Sequence, residues 1–438
     1  MNIQNRTIYK SDNLTILQGI NSETVDMIYL DPPFNKKKSF SAPIGSKAAG
    51  DEFKDTWFED DIKDEWVKSI EEQHPNLYNY LVHVGQFAEQ SDKAYLTYMA
   101  VRVLECRRIL KQTGSIFYHC DDTMQHYIKL MLDIVFGRKN FRNEINWYYP
   151  GGIKANINYF PKKNDAIFWY TKSNEWTFNV QRKDPKDNSL YARWSRYSLD
   201  GKTLLYENFP RQDKVKFETY CKRFKSQNKR EPKDGDVLYK FEGAAIDSVW
   251  ADCPSVFRSK ENTGYPTQKP LKLLRRIIEC STNEGDVILD PFCGCATGPV
   301  AAEQLNRKWI GVDLSIKAYS LVVERLKNEI VDLFNMDNLE WLYEVKHLDE
   351  SDAPVRTDIT AIQAELQTKD ERRRRSLTKS VREAVYKRDK GRCVECGSKE
   401  NIHYDHIIPF SKGGSNSKEN LQILCAKHNL EKGNRSHS

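Results

Sequence analysis

An apolar run near the start of the chain ends abruptly in an acid, two prolines and an aromatic residue. The run spans Val25–Leu30, and Asp31-Pro32-Pro33-Phe34 follows it directly. Such a run predicts a central strand of a parallel sheet, and ligands of these sheets bind beyond the carboxyl ends of the strands. The prolines have fixed φ and no N–H, so they hold a rigid turn with outward-facing carbonyls. A carboxylate, a fixed carbonyl and an aromatic ring suit a planar base that carries an amino group; an ordinary strand and turn is the alternative.

A second strand–turn–helix pattern lies between residues 286 and 313. Asp290-Pro-Phe-Cys-Gly294 closes one predicted strand, and Asp313 closes the next. Gly294 and Gly298 let the backbone approach a ligand closely, and the N-terminus of the following helix offers unpaired N–H groups. Asp313 is placed to bind ribose hydroxyls, as in nucleotide-binding folds. The pattern predicts a cofactor of the adenosine type. NAD is an alternative, but the full G-x-G-x-x-G is absent.

The length and the composition indicate a folded protein of two or three domains. The chain has 438 residues, of which 39% are hydrophobic and 11% aromatic, so it can bury a core. Its start has no apolar h-region and no long apolar stretch follows, so we expect neither export nor membrane insertion. Ten cysteines favour thiols or metal ligands over disulfides in such a chain. We expect a cytoplasmic protein of a bacterium or phage, associated with the nucleoid.

Positive charge is concentrated at the C-terminal end of the chain. Residues 371–438 hold 16 Lys and Arg against 8 Asp and Glu, whereas the rest is nearly neutral. This imbalance favours a polyanionic partner, and we expect double-stranded DNA. Residues 172–248 interleave aromatic residues with Lys and Arg, which suits phosphate contact and base stacking. A solvated insertion is the alternative for that region. Residues 346–378 are predicted to form a charged linker.

The two strand-end motifs together resemble those of the β class of amino-directed DNA methyltransferases. Asp31-Pro32-Pro33-Phe34 comes first, Thr267-Gln268-Lys269-Pro270 follows, and Asp290-Pro-Phe-Cys-Gly294 comes last. The resemblance covers about residues 7–330 and implies a Rossmann-like α/β sheet that uses S-adenosylmethionine. It makes residues 1–345 the methyltransferase domain, with 172–248 as the inserted target-recognition region.

The resemblance also implies a role for each motif. Asp31 and the Pro32 carbonyl hold the exocyclic amino group of a base flipped out of the duplex, and Phe34 stacks on its ring. Pro33 completes the catalytic motif, and Trp147 is a further candidate for base stacking. An acid at the head of the motif favours N6 of adenine; N4 of cytosine is the alternative. The expected cofactor-binding residues are Asp12 (for which a helix cap is the alternative), Thr267, Gln268, Lys269, Asp290, Phe292, Gly294 and Asp313.

Two short-spaced ligand pairs lie close to the end of the chain. They are Cys393-x2-Cys396 and Cys425-x2-His428. Such pairs bring two ligands from each of two turns and suit a closed tetrahedral Cys3His zinc site. Between and after them lie Asp405-His406, Asn420 and Asn429. This arrangement resembles the HNH nuclease motif in its H-N-N form, over about residues 381–436.

That second resemblance implies a nuclease domain of the ββα-metal fold over residues 379–438. His406 is the expected general base that activates water, and Asp405 and Asn429 are expected to bind a catalytic Mg²⁺ or Mn²⁺. Asn420 is expected to orient the loop that carries His406. A domain that serves only as a zinc-dependent DNA-binding module is the alternative. The sequence therefore predicts an enzyme of the restriction–modification type that methylates and cleaves DNA, with a homodimer left open.

Overall fold

The protein divides into two compact units, Met1–Arg356 and Thr357–Ser438. The computed structural model describes residues 2–41, 46, 52–149, 158–187, 189–265, 267–331, 345–359, 377, 379–409 and 416–432. The first unit carries a nine-stranded sheet and the second a sheet of two strands. The predicted fold class, an α/β sheet followed by a small C-terminal domain, is therefore confirmed. Among the described helices, none has the length and apolar character needed to span a membrane.

Fifteen strands and twelve helices are described below by their bounds. The strands are β1 (Thr7–Lys10), β2 (Val25–Leu30), β3 (Lys38–Ser41), β4 (Glu52–Asp55), β5 (Leu110–Cys120), β6 (Phe141–Tyr148), β7 (Asn164–Thr171), β8 (Thr203–Leu205), β9 (Val237–Lys240), β10 (Val249–Trp250), β11 (Val287–Asp290), β12 (Lys308–Asp313), β13 (Lys346–Asp349), β14 (Ile402–His406) and β15 (Leu421–Cys425). The helices are α1 (Asn13–Gly19), α2 (Asp64–Gln73), α3 (Pro75–Phe87), α4 (Gln90–Ile109), α5 (Gln125–Leu132), α6 (Ser189–Trp194), α7 (Lys214–Asn228), α8 (Leu271–Ser281), α9 (Thr297–Gln304), α10 (Ile316–Val331), α11 (Lys379–Arg388) and α12 (Ala426–Lys432).

The large sheet has the strand order β10-β6-β7-β5-β2-β11-β12-β1-β13. Its neighbouring strands pair in parallel except β7, which runs antiparallel to β5 and β6. All six residues of β2 are buried, as its apolar run predicts for a parallel strand whose two faces both pack against other elements. Two hydrophobic clusters accordingly lie on opposite faces of the sheet, one around Met99 and one around Ile277.

The predicted linker differs from the structure at its start. Lys346–Asp349 forms the edge strand β13, which pairs in parallel with β1, and the first unit continues to Arg356. The boundary predicted at residue 345 is therefore too early. The charged composition of this segment suggested a linker, but a sheet edge accepts short strands with exposed polar side chains. Residues 360–376 and 378, including the arginine run of the predicted linker, lie outside the described residues.

The predicted recognition region contains a small hydrophobic core of its own. The helices α6 and α7 pack with the antiparallel pair β8–β9, and Trp194 is 1% exposed. The other buried members of this core are Leu204, Phe209, Leu238 and Phe241. Weak periodicity hid this packing in the sequence, because the elements are short and several core residues are aromatic. The region is a folded insertion between β7 and β10, with α7 on its surface and without a buried residue.

The second unit is built around the antiparallel pair β14–β15. The helices α11 and α12 accompany this pair, and the buried aliphatic side chains among the described residues are Val385, Leu421, Ile423 and Leu424. A core of this size does not stabilise a domain alone, so small domains of this kind usually depend on a metal or on disulfides.

Candidate functional site

The carboxyl ends of three neighbouring strands meet at one edge of the large sheet. Asp31 follows β2, Asp290 ends β11 and Asp313 ends β12. A cavity of about 1460 Å³ opens there. Ligand sites usually measure roughly 300–1,000 Å³, so this cavity has room for a cofactor and a flipped base together. It is lined by all the catalytic and cofactor-binding residues predicted in the first unit: Asp12, Asp31, Pro32, Pro33, Phe34, Thr267, Gln268, Lys269, Asp290, Phe292, Gly294 and Asp313.

The predicted cofactor loop is held by its two acids. Burial, with the negative charge of Asp31 second, raises the pKa of Asp290 well above its usual range. A Cβ atom at Gly298 would lie 2.3 Å from the Asp290 carboxyl, so this position requires glycine. The oxygens of Asp313 accept the N–H groups of Gly294 and Ser315, each at 2.8 Å. These bonds fix the Asp313 carboxylate at the cavity, where it suits the hydroxyls of a nucleoside cofactor.

Asp12 caps a helix and also lines the cavity. Its Oδ1 accepts the backbone N–H of Leu14 at 2.7 Å, so the cap predicted as an alternative is present. Both Asp12 oxygens also accept Arg102 Nη2 at 2.9 Å. Arg102 is buried on α4, donates to Asn13 and lies over the Tyr98 ring. Asn13 in turn donates to the Pro291 carbonyl at 2.8 Å, so Arg102 connects α1 with the cofactor loop.

Sequence reasoning missed Arg102. The only sequence signal for it was an arginine among the buried positions of α4.

Lys269 contacts Asp31, the predicted catalytic acid, in this structure. Its Nζ lies 2.8 and 2.7 Å from the two oxygens of Asp31 and 5.3 Å from the centroid of the Phe34 ring. Both side chains of the ion pair are largely buried. The sequence assigned Lys269 to the cofactor, whereas here it neutralises the charge on Asp31. Each Asp31 oxygen has a second lone pair, so the ion pair does not use up the acceptor capacity of the carboxylate.

A second buried acid supports the segment after Phe34. Asn35 has φ of 61°, and its N–H donates to Asp55 Oδ1 at 2.5 Å. Asp55 is 1% exposed. Burial raises the pKa of Asp55 to about 6. Hydrogen bonds from the backbone N–H groups of Lys36 and Asn35 and the charge of Lys36 lower it, and the charge of Asp121 adds to the rise. Asp55 therefore fixes the chain as it leaves the catalytic turn.

Trp147 is placed away from the cavity. Its ring is 4% exposed, its Nε1 donates to the Cys253 carbonyl at 2.7 Å, and it packs edge-on against His119. The side chain was a candidate for base stacking because it is aromatic and follows a strand pattern. Its burial inside the sheet gives it a packing role instead.

The second unit brings its four predicted zinc ligands together. The ligand atoms of Cys393, Cys396, Cys425 and His428 all lie within 4.8 Å of one another. Burial alone would raise the pKa of Cys393, but hydrogen bonds from the backbone N–H groups of Cys425 and Cys396 and from His428 lower it to about 6. Three thiols and one imidazole at such spacing fit a tetrahedral Zn²⁺ site.

The predicted nuclease residues lie on β14 (Asp405 and His406), in the turn directly before β15 (Asn420) and on α12 (Asn429). Asn420 accepts the N–H of Ile408 at 2.9 Å and donates to the Ile408 carbonyl at 3.1 Å, so it braces the loop that follows His406. His406 Nε2 lies 2.7 Å from Asn416 Oδ1. Asn429 lies one turn before Lys432 on α12, and therefore on the same side of this helix.

Lys432 was not predicted from the sequence. Its Nζ lies 2.5 Å from Asp405 Oδ2 and donates to the carbonyl of His406. An ammonium group thus stands at the carboxylate that the sequence assigns to a divalent cation.

The raised pKa of Asp55 predicts a pH effect on stability. The folded state binds the proton more tightly than the unfolded chain, in which an Asp titrates near 3.8. Asp55 should therefore destabilise the fold above pH 6, and this cost should disappear as the pH falls from 6 towards 4. Asp55→Asn removes the ionisation, so the free energy of unfolding of the variant minus that of the natural protein should be larger by about 2 kcal/mol at pH 7 than at pH 4. Urea unfolding of both proteins at the two pH values measures this difference; an unchanged difference would contradict it.

The ligand cluster predicts one structural zinc ion for each chain. Elemental analysis should find zinc in stoichiometric amount, and Cys396→Ser should lower it severalfold, because three ligands hold the ion less tightly than four. Cys221→Ser, which changes a half-buried thiol of the insertion, is the matched control and should keep the zinc. A purified chain that lacks zinc while its second unit resists proteolysis would refute the assignment.

Comparisons with known proteins agree with this geometry. A protein-family model described as DNA methylase matches residues 25–324, and one described as HNH endonuclease matches residues 393–435. The type II methyltransferase M.EcaI of Enterobacter cloacae is 29% identical over 54% of this chain and 58% of its own length. The type II methyltransferase M.BamHI of Bacillus amyloliquefaciens is 26% identical over 74% and 58%. The DNA adenine methyltransferase YhdJ of Escherichia coli strain K12 is 25% identical over 83% and 95%.

The chain spans little more than half the length of the first two of these relatives. The family model, in contrast, matches more than half of this chain and includes both the predicted catalytic turn and the predicted cofactor loop. The protein therefore belongs to the DNA methylase family of N6- and N4-directed enzymes and carries an HNH domain at its C-terminal end.

Proposed function

We propose that the first unit transfers a methyl group from S-adenosylmethionine to N6 of adenine in duplex DNA. The observation that carries this proposal is the convergence of Asp31-Pro32-Pro33-Phe34 with the cofactor-loop acids in one cavity. Asp313 would bind the ribose of the cofactor, and Phe292 and the exposed Leu314 would lie beside its adenine. Gly294 would let the backbone of the loop approach the cofactor closely. When bound, S-adenosylmethionine supplies a methyl group activated by a sulfonium centre.

The remaining chemistry falls to the chain's own residues. Asp31 and the Pro32 carbonyl each accept a hydrogen bond from one N–H of the target amino group. These two bonds draw the nitrogen lone pair out of conjugation and aim it at the methyl group. Phe34 stacks on the flipped base. The nitrogen would gain a bond to the methyl carbon as the bond from that carbon to sulfur breaks, with the electron pair left on the sulfur of the departing S-adenosylhomocysteine. The nitrogen would give up one proton, which Asp31 or water accepts. No protein nucleophile is needed, in keeping with the buried thiols of Cys293 and Cys295, whose pKa values burial raises.

We propose a second activity, cleavage of duplex DNA, for the C-terminal unit. His406 would activate water, and Asp405 with Asn429 would hold a divalent cation at the leaving oxygen. The cation would have to compete with the Lys432 ammonium for Asp405. Relatives named as type II methyltransferases suit a pairing of methylation with restriction, and the two activities would then share one recognition sequence.

The insertion supplies the proposed DNA contact of the first unit. Its helix α7 carries five Lys and Arg residues, Lys214, Lys216, Lys222, Arg223 and Lys225, against a single acid, Glu218. All five are exposed; Lys225 pairs with Glu231, and the other four are available to phosphates.

Single substitutions should separate the two proposed activities. Asp31→Ala should lower methylation by at least about 100-fold, because it removes an acceptor aimed at the reacting nitrogen, and should leave cleavage unchanged. His406→Ala should do the reverse. Methylation is read by single-molecule kinetic sequencing of DNA from a methylation-free host, which also yields the recognition sequence, and cleavage by incubation of that sequence with Mg²⁺.

Three outcomes would change the proposal. Marks on cytosine would replace N6 of adenine by N4 of cytosine. Methylation without any cleavage, with Mn²⁺ as well as Mg²⁺, would make the C-terminal unit a zinc-dependent binding module. Loss of both activities in both variants would contradict two separate sites.

Loss of positive charge from α7 should weaken DNA binding. Lys222→Ser with Arg223→Ser should weaken DNA binding similarly on all sequences, and the slope of log K against log salt should become less negative by about 2. Lys308→Ser, at the opposite end of β12 from the cavity, is the control and should leave binding and slope unchanged. An unaltered slope in the double variant would exclude α7 from the interface.

A further inference from the structure

A buried histidine lies directly behind the catalytic turn. His119 of β5 is fully buried, and its ring stacks on Phe34 with centroids 5.8 Å apart and an angle of 25° between the planes. Trp147 closes another side of the imidazole, edge-on at 5.6 Å. One face of Phe34 is therefore supported by His119, and the stacking surface offered to a base is the other face.

Both nitrogens of this imidazole are engaged. Nδ1 lies 2.8 Å from the hydroxyl of Tyr29, and Nε2 lies 3.1 Å from Asp165 Oδ2. Asp165 also accepts the hydroxyl of Tyr149 at 2.9 Å. A carboxylate only accepts hydrogen bonds, so Nε2 carries the proton and Nδ1 accepts from Tyr29. The four side chains form one hydrogen-bonded chain that converges on Asp165 and joins β2, β5, β7 and the residue after β6, and it prevents rotation of the imidazole.

The pKa shifts of Asp165 and Tyr29 agree with these donor and acceptor roles. Burial opposes the charge on Asp165, but the hydrogen bond from His119, the charge of Lys269 and the hydrogen bond from Tyr149 outweigh it, so the pKa of Asp165 lies below its usual value. Burial, followed by the charges of Asp31, Asp290 and Asp165, raises the pKa of Tyr29 well above its usual value. Asp165 therefore stays an acceptor and Tyr29 stays a donor.

A core histidine needs none of this arrangement. An apolar side chain would fill the same space without burying three polar partners, each of which must then be satisfied. The hydrogen-bonded chain ends at the cavity, because Tyr29 of β2 lines it and stands two residues before Asp31, which directly follows this strand. The same imidazole thus contacts the strand that carries the catalytic acid and the ring that would receive the base.

We propose that His119 is a positioning residue for methyl transfer: fixed by Asp165 and Tyr29, it holds the Phe34 ring in the orientation that stacks on the flipped base. This inference rests on the proposed methyltransferase function. His119 does not touch substrate or cofactor and acts through Phe34.

Tyr29→Phe tests the proposal with the smallest change, since it removes one hydroxyl and keeps the ring; His119→Gln is the stronger variant. The matched control is Tyr95→Phe, which removes a buried hydroxyl 3.1 Å from that of Tyr118, in the cluster around Met99. The readouts are the single-turnover rate of methylation on the recognition sequence found by sequencing, the fluorescence of 2-aminopurine at the target position, and the affinity for S-adenosylhomocysteine.

We expect Tyr29→Phe to lower the single-turnover rate about tenfold, as loss of a stacking contact does, and to alter the 2-aminopurine emission of the bound duplex. Affinity for S-adenosylhomocysteine should not change, and Tyr95→Phe should leave all three quantities unchanged. In a Phe34→Ala background, Tyr29→Phe should have no further effect on the rate, because both changes act on one contact.

If Tyr29→Phe lowers the rate by the same factor in the Phe34→Ala background, its role is structural and the inference is overturned. A Tyr29→Phe variant with the natural rate and emission would also overturn it. Both results leave the methyltransferase function standing, because the natural protein still methylates DNA in the same assay. A natural protein that transfers no methyl group would overturn the proposed function and this inference together.

Discussion

The parallel pairing of β2 with β11 is the constraint on which the candidate site depends. Ile28 pairs with Leu289 and Met27 with Ile288, which joins segments separated by most of the first unit. Asp26 reinforces the junction, since its carboxylate accepts the N–H of Val287 at 2.9 Å. Because both strands run in the same direction, the catalytic turn and the cofactor loop emerge side by side. Neither motif forms a site without the other.

This arrangement concentrates negative charge, and the fold offsets it at each position in a different way. Asp12 is paired with Arg102, Asp31 with Lys269, and Asp313 accepts two backbone N–H groups. Asp290 accepts the N–H of Phe292 at 3.3 Å; among the described residues no cationic side chain contacts it, and burial raises its pKa. Bringing carboxylates together in a buried cavity is costly unless each is paired, hydrogen-bonded or protonated. The residues that solve this problem are therefore as much a part of the site as the motif residues.

Local patterns in the sequence were sufficient to predict the motifs but not their supports. Asp31, Asp290 and Asp313 are recognisable because each ends an apolar run, and the zinc ligands because of their spacing. Arg102, His119 and Lys432 meet their partners across 90, 46 and 27 residues of chain, so nothing near them in the sequence marks them. The same limit applies to β13, a polar segment that became a strand only because β1 had an open edge, and to Trp147, whose burial depends on how β6 packs.

The insertion between β7 and β10 has its own hydrophobic core around Trp194, and this separates two demands that would otherwise conflict. If this insertion reads DNA, as proposed, its surface can vary in sequence without altering the packing of the sheet, while the chemistry at the strand ends stays fixed. A new specificity can then arise by exchange of one module of the fold. For an enzyme that modifies and cuts the same sequence, such an exchange changes the site of protection and the site of attack in a single step, provided that the nuclease takes its target from the same module.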